Sequence, residues 1–235
     1  MDQKLLKTSW KQRVVVIVIA LLMIFSFIAS YVAIVLSNNK KSNDDTADNP
    51  ELTKIQEEYE KKSAEITAYA ESLSKKYFDT LKEYKSRVKS YNATTANTDG
   101  LKTTDLKNGD GRELKADDTD YFAYYIGWCA DESIFDSSFD STDTPTKLKT
   151  PLSAKAGLIE GWNQGVIGMK LGGVREITIP GELAYGDSQE ICGGKNSPLK
   201  FVVLPFTDEK MKQLSSEADE IMNRLYAAYY ANQEK

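Results

Sequence analysis

From Val14 to Leu36 the chain reads VVVIVIALLMIFSFIASYVAIVL, without one charged side chain. Nothing else restricts its options as strongly, because a run this apolar and this long has few places to go in water. As a helix it would reach roughly 34 Å, against a bilayer hydrocarbon core of about 30 Å. Lys4, Lys7, Lys11 and Arg13 precede the run, while Lys40 and Lys41 on the far side are soon offset by Asp44, Asp45 and Asp48. The more positive flank stays in the cytoplasm. The expectation is therefore a single-pass anchor over residues 14-36 in the cell membrane, with residues 1-13 cytoplasmic and everything after Leu36 extracytoplasmic. The rival reading is a cleaved signal peptide ending near Ala29-Ser30. The apolar run continues past that point to Leu36, and no cysteine follows it to accept a lipid.

Composition removes several classes of function. The sequence has no histidine, which excludes Ser-His-Asp triads, Cys-His dyads and His-ligated zinc. Its two cysteines are too few for a four-thiolate metal site. A formal net charge of -5 argues against nucleic acid, which needs a basic face. No metal or cofactor is expected.

Residues 37-50 (SNNKKSNDDTADNP) are polar and aperiodic and read as a solvated linker. Over residues 51-95 the apolar positions Leu52, Ile55, Tyr59, Ile66, Tyr69, Leu73, Tyr77, Leu81, Tyr84, Val88 and Tyr91 step mostly by three and four. That spacing predicts one long amphipathic helix, close to a coiled-coil heptad seam, whose stripe needs a partner. Residues 208-235 supply a candidate: Met211, Leu214, Ala218, Ile221, Leu225, Ala228 and Tyr229 repeat the period, with Asp208 and Glu209 at the start. Packing within one chain, a homodimer through the long helix and a solvated spacer all satisfy the pattern. Intramolecular packing is favoured, since tyrosine-rich stripes suit broad contacts. Stripe tyrosines facing an unfolded client are a further option.

Between residues 96 and 207 the character changes. Strand-like runs appear at Tyr121–Trp128, Val174–Ile179 and Leu199–Leu204, punctuated by Gly and Pro, with one short helical piece over Leu158–Ile167. Many strands and one small helix predict an antiparallel α+β domain.

Six motifs in this stretch stand in a recognisable order. They are Asn108-Gly-Asp-Gly-Arg112; Tyr125-Ile-Gly127 with Phe135-Asp-Ser-Ser138; Gly157-Leu-Ile-Glu-Gly-Trp162 through Gly168-Met169; Arg175-Glu-Ile-Thr-Ile-Pro180; Leu183-Ala-Tyr-Gly186; and Asn196-Ser-Pro-Leu-Lys-Phe201-Val-Val203. Together they resemble the FKBP family of peptidyl-prolyl cis/trans isomerases, in its membrane-anchored bacterial form. The resemblance implies a half-open, half-barrel sheet wrapped around the short helix, with a shallow apolar pocket between them. Carried over, Trp162 would floor that pocket and Tyr125, Phe135 and Phe201 would wall it. The Ile159 N–H and the Tyr185 hydroxyl would hold substrate carbonyls, and Asp136 would stand near the twisting amide. Leu158 and Ile191 would add apolar contacts. Taken singly, such aromatics are usually plain core, and Asp136 suits a turn; their role rests on the ordered match.

The sequence departs from the family's pattern in three places. No aromatic stands in Thr146–Pro151, Gly157 replaces a common acidic or polar residue, and the loop Gly186-Asp-Ser-Gln-Glu-Ile-Cys-Gly-Gly-Lys195 lacks the usual histidine and paired prolines. Ile191 is the candidate to fill the missing roof contact.

The residue types suit the implied chemistry. Rotating an X-Pro bond breaks no covalent bond; the obstacle is amide resonance, a barrier of about 18–20 kcal/mol. An apolar pocket disfavours the dipolar planar amide relative to the twisted one, and donors set for the twisted state add differential stabilisation. The implied partners are proline-containing unfolded or nascent exported polypeptides. The alternatives are a proline-binding chaperone that hardly catalyses and a membrane-tethered interaction module. Outside the cytoplasm, Cys129 and Cys192 would either pair, pinning the roof loop beside the pocket, or remain two small buried thiols.

Overall fold

The structure, a computed structural model, describes residues 50–140 and 145–233. The expected cytoplasmic segment at 1-13, the anchor at 14-36 and the linker up to residue 49 lie outside the described residues. None of the described helices is long and apolar enough to cross a membrane.

Helix α1 runs Pro50–Glu83, opened by a proline at its first position and acidic Glu51 in its first turn. A short helix α2 follows at Ala93–Thr98, capped by the Asn92 side chain, which accepts from the Thr95 N–H at 2.8 Å. Then come strands β1 (Lys102–Lys107), β2 (Phe122–Trp128), β3 (Ile134–Ser137) and β4 (Leu152–Ser153), helix α3 (Glu160–Gly165), strands β5 (Val174–Ile179) and β6 (Leu199–Phe206), and helix α4 (Glu209–Gln233). All strand pairs are antiparallel, in the order β1-β5-β6-β2-β3, with β4 joining β2 at its other end. The expected α+β class is what the chain adopts.

Alternation along β2 and β6 divides the interior into two layers. Phe122, Tyr124, Ile126 and Trp128, with Val202, Leu204 and Phe206, meet Leu73 and Leu81 of α1 and Met211 of α4. Tyr121, Ala123 and Tyr125, with Leu199, Phe201 and Val203, face α3 and the segments around it. A strand covered on both sides has no polar face to show, which is why residues 121–128 read as one unbroken apolar run.

Helix α3 sits on β5 through two glycines. A Cβ on Gly161 would lie 2.2 Å from a methyl of Ile179, and one on Gly165 would lie 2.6 Å from a methyl of Ile177. Arg175, itself in β5, holds the end of that helix: its guanidinium donates to the carbonyls of Gly165 (2.9 Å) and Ile167 (2.8 Å) and to Asp105 on β1 (2.6 Å).

The long helix ends earlier than its periodicity predicts. The backbone tightens into a 3-10 turn at Tyr84–Arg87 and becomes extended at Val88. Tertiary contacts take over from the local pattern there. The Trp128 indole donates to the Lys89 carbonyl (3.1 Å), the Tyr91 N–H to the Ala130 carbonyl (3.1 Å), and the Tyr91 hydroxyl to the Pro198 carbonyl (2.9 Å). Arg87 meets buried Glu176.

Helices α1 and α4 run antiparallel. Tyr69 pairs with Asp208, Lys62 with Glu217 and Glu58 with Arg224, one index falling as the other rises. Ile55, Ile221 and Leu225 close the far end of the seam. The Asp208 carboxylate accepts from the Met211 N–H at 2.9 Å and so caps α4. Of the three readings of the helical stripe, the intramolecular one describes this chain.

Candidate active site

Strand β2 places Tyr125 on the α3 side of the sheet, next to the glycine at 127. Its backbone is held from both directions by Ser138, whose hydroxyl accepts from the Tyr125 N–H (2.8 Å) and whose N–H donates to the Tyr125 carbonyl (2.9 Å). Strand β3 pairs Asp136 with Gly127 and Ile134 with Trp128, leaving Phe135 as the extra residue of a bulge. Bulges re-aim side chains, and here the Phe135 ring takes space that only glycine leaves open. A Cβ on Gly127 would come within 2.8 Å of both the Phe135 and the Phe201 rings.

Four rings thereby converge. Trp162 lies 5.5 Å from Tyr125 and 5.4 Å from Phe201, centroid to centroid, both edge-on. Phe135 meets Phe201 edge-on at 5.5 Å, and Tyr125 is 6.3 Å from Phe201. Such tilted and edge-to-face arrangements are the favoured ones for aromatic pairs. Trp162 is 2 % exposed and Phe201 4 %, whereas Tyr125, Phe135 and Tyr185 are half-buried. Phe201 therefore belongs with the floor, beside Trp162, rather than with the walls. Leu158, Ile159, Tyr185 and Ile191 pack against the same cluster, and Ile159 is the residue that starts α3, in extended conformation.

The polar groups gather on one side. The Tyr125 hydroxyl donates to the exposed Asp136 carboxylate. Burial, and then the bond to that carboxylate, push the Tyr125 hydroxyl far above the usual phenol range. Burial likewise raises Tyr185, with the charge of Asp136 adding to it. Both phenols thus stay protonated donors at neutral pH.

The roof segment is tied down. Cys129, just past the end of β2, is bonded to Cys192, with Cα atoms 5.4 Å apart. Ile191 pairs with Gly194 across a tight turn, and the Asn196 N–H donates to the Gly186 carbonyl at 2.7 Å. The paired reading of the two cysteines is the one observed.

Three contributors escape a reading of residue types. Tyr121 is buried beneath the floor and its hydroxyl accepts from the Trp162 indole N–H at 3.1 Å. Ser138 and Gly127 lie inside the quoted motifs but carry no chemistry of their own that would single them out. A separate surface cleft, lined by Asp105, Lys107, Gly109, Met169 and neighbours, shares no residue with the aromatic set.

A family model described as FKBP-type peptidyl-prolyl cis-trans isomerase matches residues 111–204. The FK506-binding protein of Neisseria meningitidis serogroup B is 38% identical over 90 residues, covering 37% of this chain and 75% of that protein. The FK506-binding protein of Streptomyces anulatus is 39% identical over 101 residues, covering 42% of this chain and 75% of that protein. The similarity to FK506-binding protein 4 of Gibberella zeae, 35% over 132 residues, covers 54% of this chain but only 25% of that longer protein.

Proposed function

The chain belongs to the family of FKBP-type peptidyl-prolyl cis-trans isomerases, and on that premise we propose that it catalyses rotation about X-Pro bonds in unfolded exported polypeptides. The observation that carries this reading is the convergence of the Trp162, Tyr125, Phe135 and Phe201 rings, with the Tyr125 hydroxyl bonded to Asp136 beside them. The proline ring rests on Trp162 and Phe201, between Tyr125 and Phe135. The surrounding apolar surface strips water from the planar imide, whose charge separation that water favours; the twisted imide loses less. The Tyr185 hydroxyl and the Ile159 N–H hold the flanking carbonyls in the twisted geometry, so their bonds strengthen only on the way to the transition state. Asp136 orients Tyr125. No nucleophile is needed, which suits a chain without histidine.

In this proposal residues 14-36 anchor the chain in the cell membrane and the isomerase domain works on the extracytoplasmic side. The Cys129–Cys192 bond supports an oxidising compartment. A homodimer through α1 would need the stripe that α4 already covers, so a single chain is the working unit.

The test is refolding of a client whose slow step is prolyl isomerisation, with the full chain in nonionic detergent. Acceleration over buffer is expected. Tyr185→Phe and Asp136→Ala should each lower it about two- to thirteenfold, the rate equivalent of a hydrogen bond worth about 0.5–1.5 kcal/mol. A wild-type rate equal to buffer would sink the proposal.

A further inference from the structure

Residues 187–195 of the roof are joined to the rest of the domain at few points. Among the described residues, their hydrogen bonds stay within residues 185–197. The Ser188 N–H and hydroxyl donate to the Tyr185 carbonyl, Ile191 and Gly194 exchange backbone bonds (3.0 and 3.2 Å), and the Ser197 hydroxyl donates to the Gly194 carbonyl at 3.0 Å. Asp187, Glu190 and Lys195 enter no ion pair among the described residues. Ile191 and Cys192 supply the apolar contacts with the layer that holds Trp162. One covalent tie leaves the segment, from Cys192 to Cys129. Its two ends differ. Cys129 is buried; its N–H donates to the Ser133 carbonyl (2.8 Å) and its carbonyl accepts from the Glu132 N–H (3.1 Å). Cys192 is half-buried, with a φ of 53°, in the left-handed region. Gly186, Gly193 and Asn196 also have positive φ, but glycine and asparagine tolerate it and cysteine does not.

We propose that the Cys129–Cys192 bond is a positioning element of the reaction: it holds Ile191 and Tyr185 against the ring layer, so that the isomerase is fully active only as the disulfide. The inference rests on the isomerase reading for the reaction that is measured. Its physical basis is the imbalance between the two ends. Without the bond, Cys129 keeps its place through its own turn, whereas Cys192 relaxes to negative φ. Ile191 moves with it, and Tyr185 loses the segment that folds back on its carbonyl. Only a fraction of the molecules then present the productive arrangement, and the rate falls by that fraction. The dithiol is therefore a low-activity form. It becomes active by giving two electrons and two protons to a disulfide-bearing oxidant, which leaves as two thiols while the Cys129–Cys192 bond forms.

The experiment uses the full chain in nonionic detergent, as isolated, after reduction with dithiothreitol, and after return to the disulfide with oxidised glutathione. Isomerisation of a capped Ala-Leu-Pro-Phe peptide is measured in each form, with a urea titration to show that the reduced chain is folded. Reduction should lower the rate about five- to thirtyfold, the equivalent of the roughly 1–2 kcal/mol that a non-glycine residue costs in the left-handed region. Oxidised glutathione should restore it. Cys129→Ala combined with Cys192→Ala should match the reduced chain and respond to neither reagent. Brief trypsin treatment reads the roof itself: cleavage after exposed Lys195, followed by mass spectrometry, should be faster in the reduced chain. Equal rates in the two forms, equal cleavage at Lys195, or a chain that unfolds altogether on reduction would each overturn the proposal. Failure of the isomerase reading looks different, with no rate gain in either form. The roof is still scored then, because faster cleavage of the dithiol supports its release and equal cleavage refutes it.

Discussion

The indole N–H of Trp162 is a buried donor, and one hydroxyl satisfies it. Tyr121→Phe keeps the ring and removes that acceptor, leaving the N–H unpaired in a closed site. An orphaned buried donor costs about 1–3 kcal/mol. The variant should unfold at lower urea by that amount, with altered tryptophan emission and a slower isomerisation rate; an unchanged urea midpoint would remove Tyr121 from this role. Tyr124 presents the reverse case. It is fully buried between the sheet and α1, and among the described residues its hydroxyl is the one buried side-chain group without a hydrogen-bond partner. Tyr124→Phe should therefore leave stability at neutral pH unchanged or raised. Burial, with Tyr77 and Asp208 nearby, holds the Tyr124 hydroxyl above the usual phenol range. A folded pKa above the unfolded value of about 10 means that the unfolded chain loses this proton first, so stability is full below about pH 10 and falls above it. Replacing Tyr124 should flatten that fall by up to about 1.4 kcal/mol per pH unit. Urea titrations from about pH 8 to about pH 11 would detect it; equal slopes in the two proteins would refute it. Neither tyrosine was legible in the sequence. Trp162, Tyr125 and Phe201 stood out because ordered motifs surround them, while Tyr121 precedes its strand amid aspartates and Tyr124 is one of two adjacent tyrosines.

At the scale of elements, backbone punctuation explains what could be read in advance. Strand β5 has the bounds that its sequence implies, because Gly172 and Gly173 precede it and Pro180 closes it. Strand β6 runs two residues further than expected, through Pro205, which a strand pattern alone would treat as a stop. The overlong prediction for α1 has the opposite cause. Tyr84, Val88 and Tyr91 keep the helical spacing, but they pack against the layer formed by β2 and β6 without continuing the helix. Helix α3 is short because it is a seat for Trp162, and Gly161 and Gly165 set how closely it approaches β5. Gly161→Ala makes the competition explicit. In a free helix the change would help by about 1 kcal/mol. Against Ile179, with 2.2 Å available, overpacking costs about 1–3 kcal/mol, and the sheet is too well packed to move away. A net loss of stability and a displaced Trp162, visible as weaker peptide binding, are expected. A more stable protein would show that α3 has room the structure does not grant it.

For the whole molecule, one chain supplies both halves of a seam that could have joined two chains. Ile55, Leu52 and Tyr59 of α1 meet Ile221, Leu225 and Ala228 of α4, and Met211 joins the layer that α1 forms on the sheet. Each fully buried side chain of this kind contributes about 1.5–3 kcal/mol, so α4 covers a stripe that would otherwise face water along most of its length. The sheet does not depend on α4 in the same way, because Tyr77, Leu81 and their neighbours on α1 cover its back. Removal of α4 should then leave the isomerase domain folded but the stripe bare, and a bare heptad-like stripe finds another copy of itself. By sedimentation equilibrium in density-matched detergent, the full chain should be a monomer. The chain ending at Thr207 should self-associate, with tryptophan emission from the recess retained. Two further substitutions, Ile55→Asn and Tyr59→Gln, should return the shortened chain to a monomer by removing the surface on which it pairs. A full chain that is already dimeric, or a shortened chain that stays monomeric at high micromolar concentration, would mean that the contacts between α1 and α4 do not decide how many copies assemble.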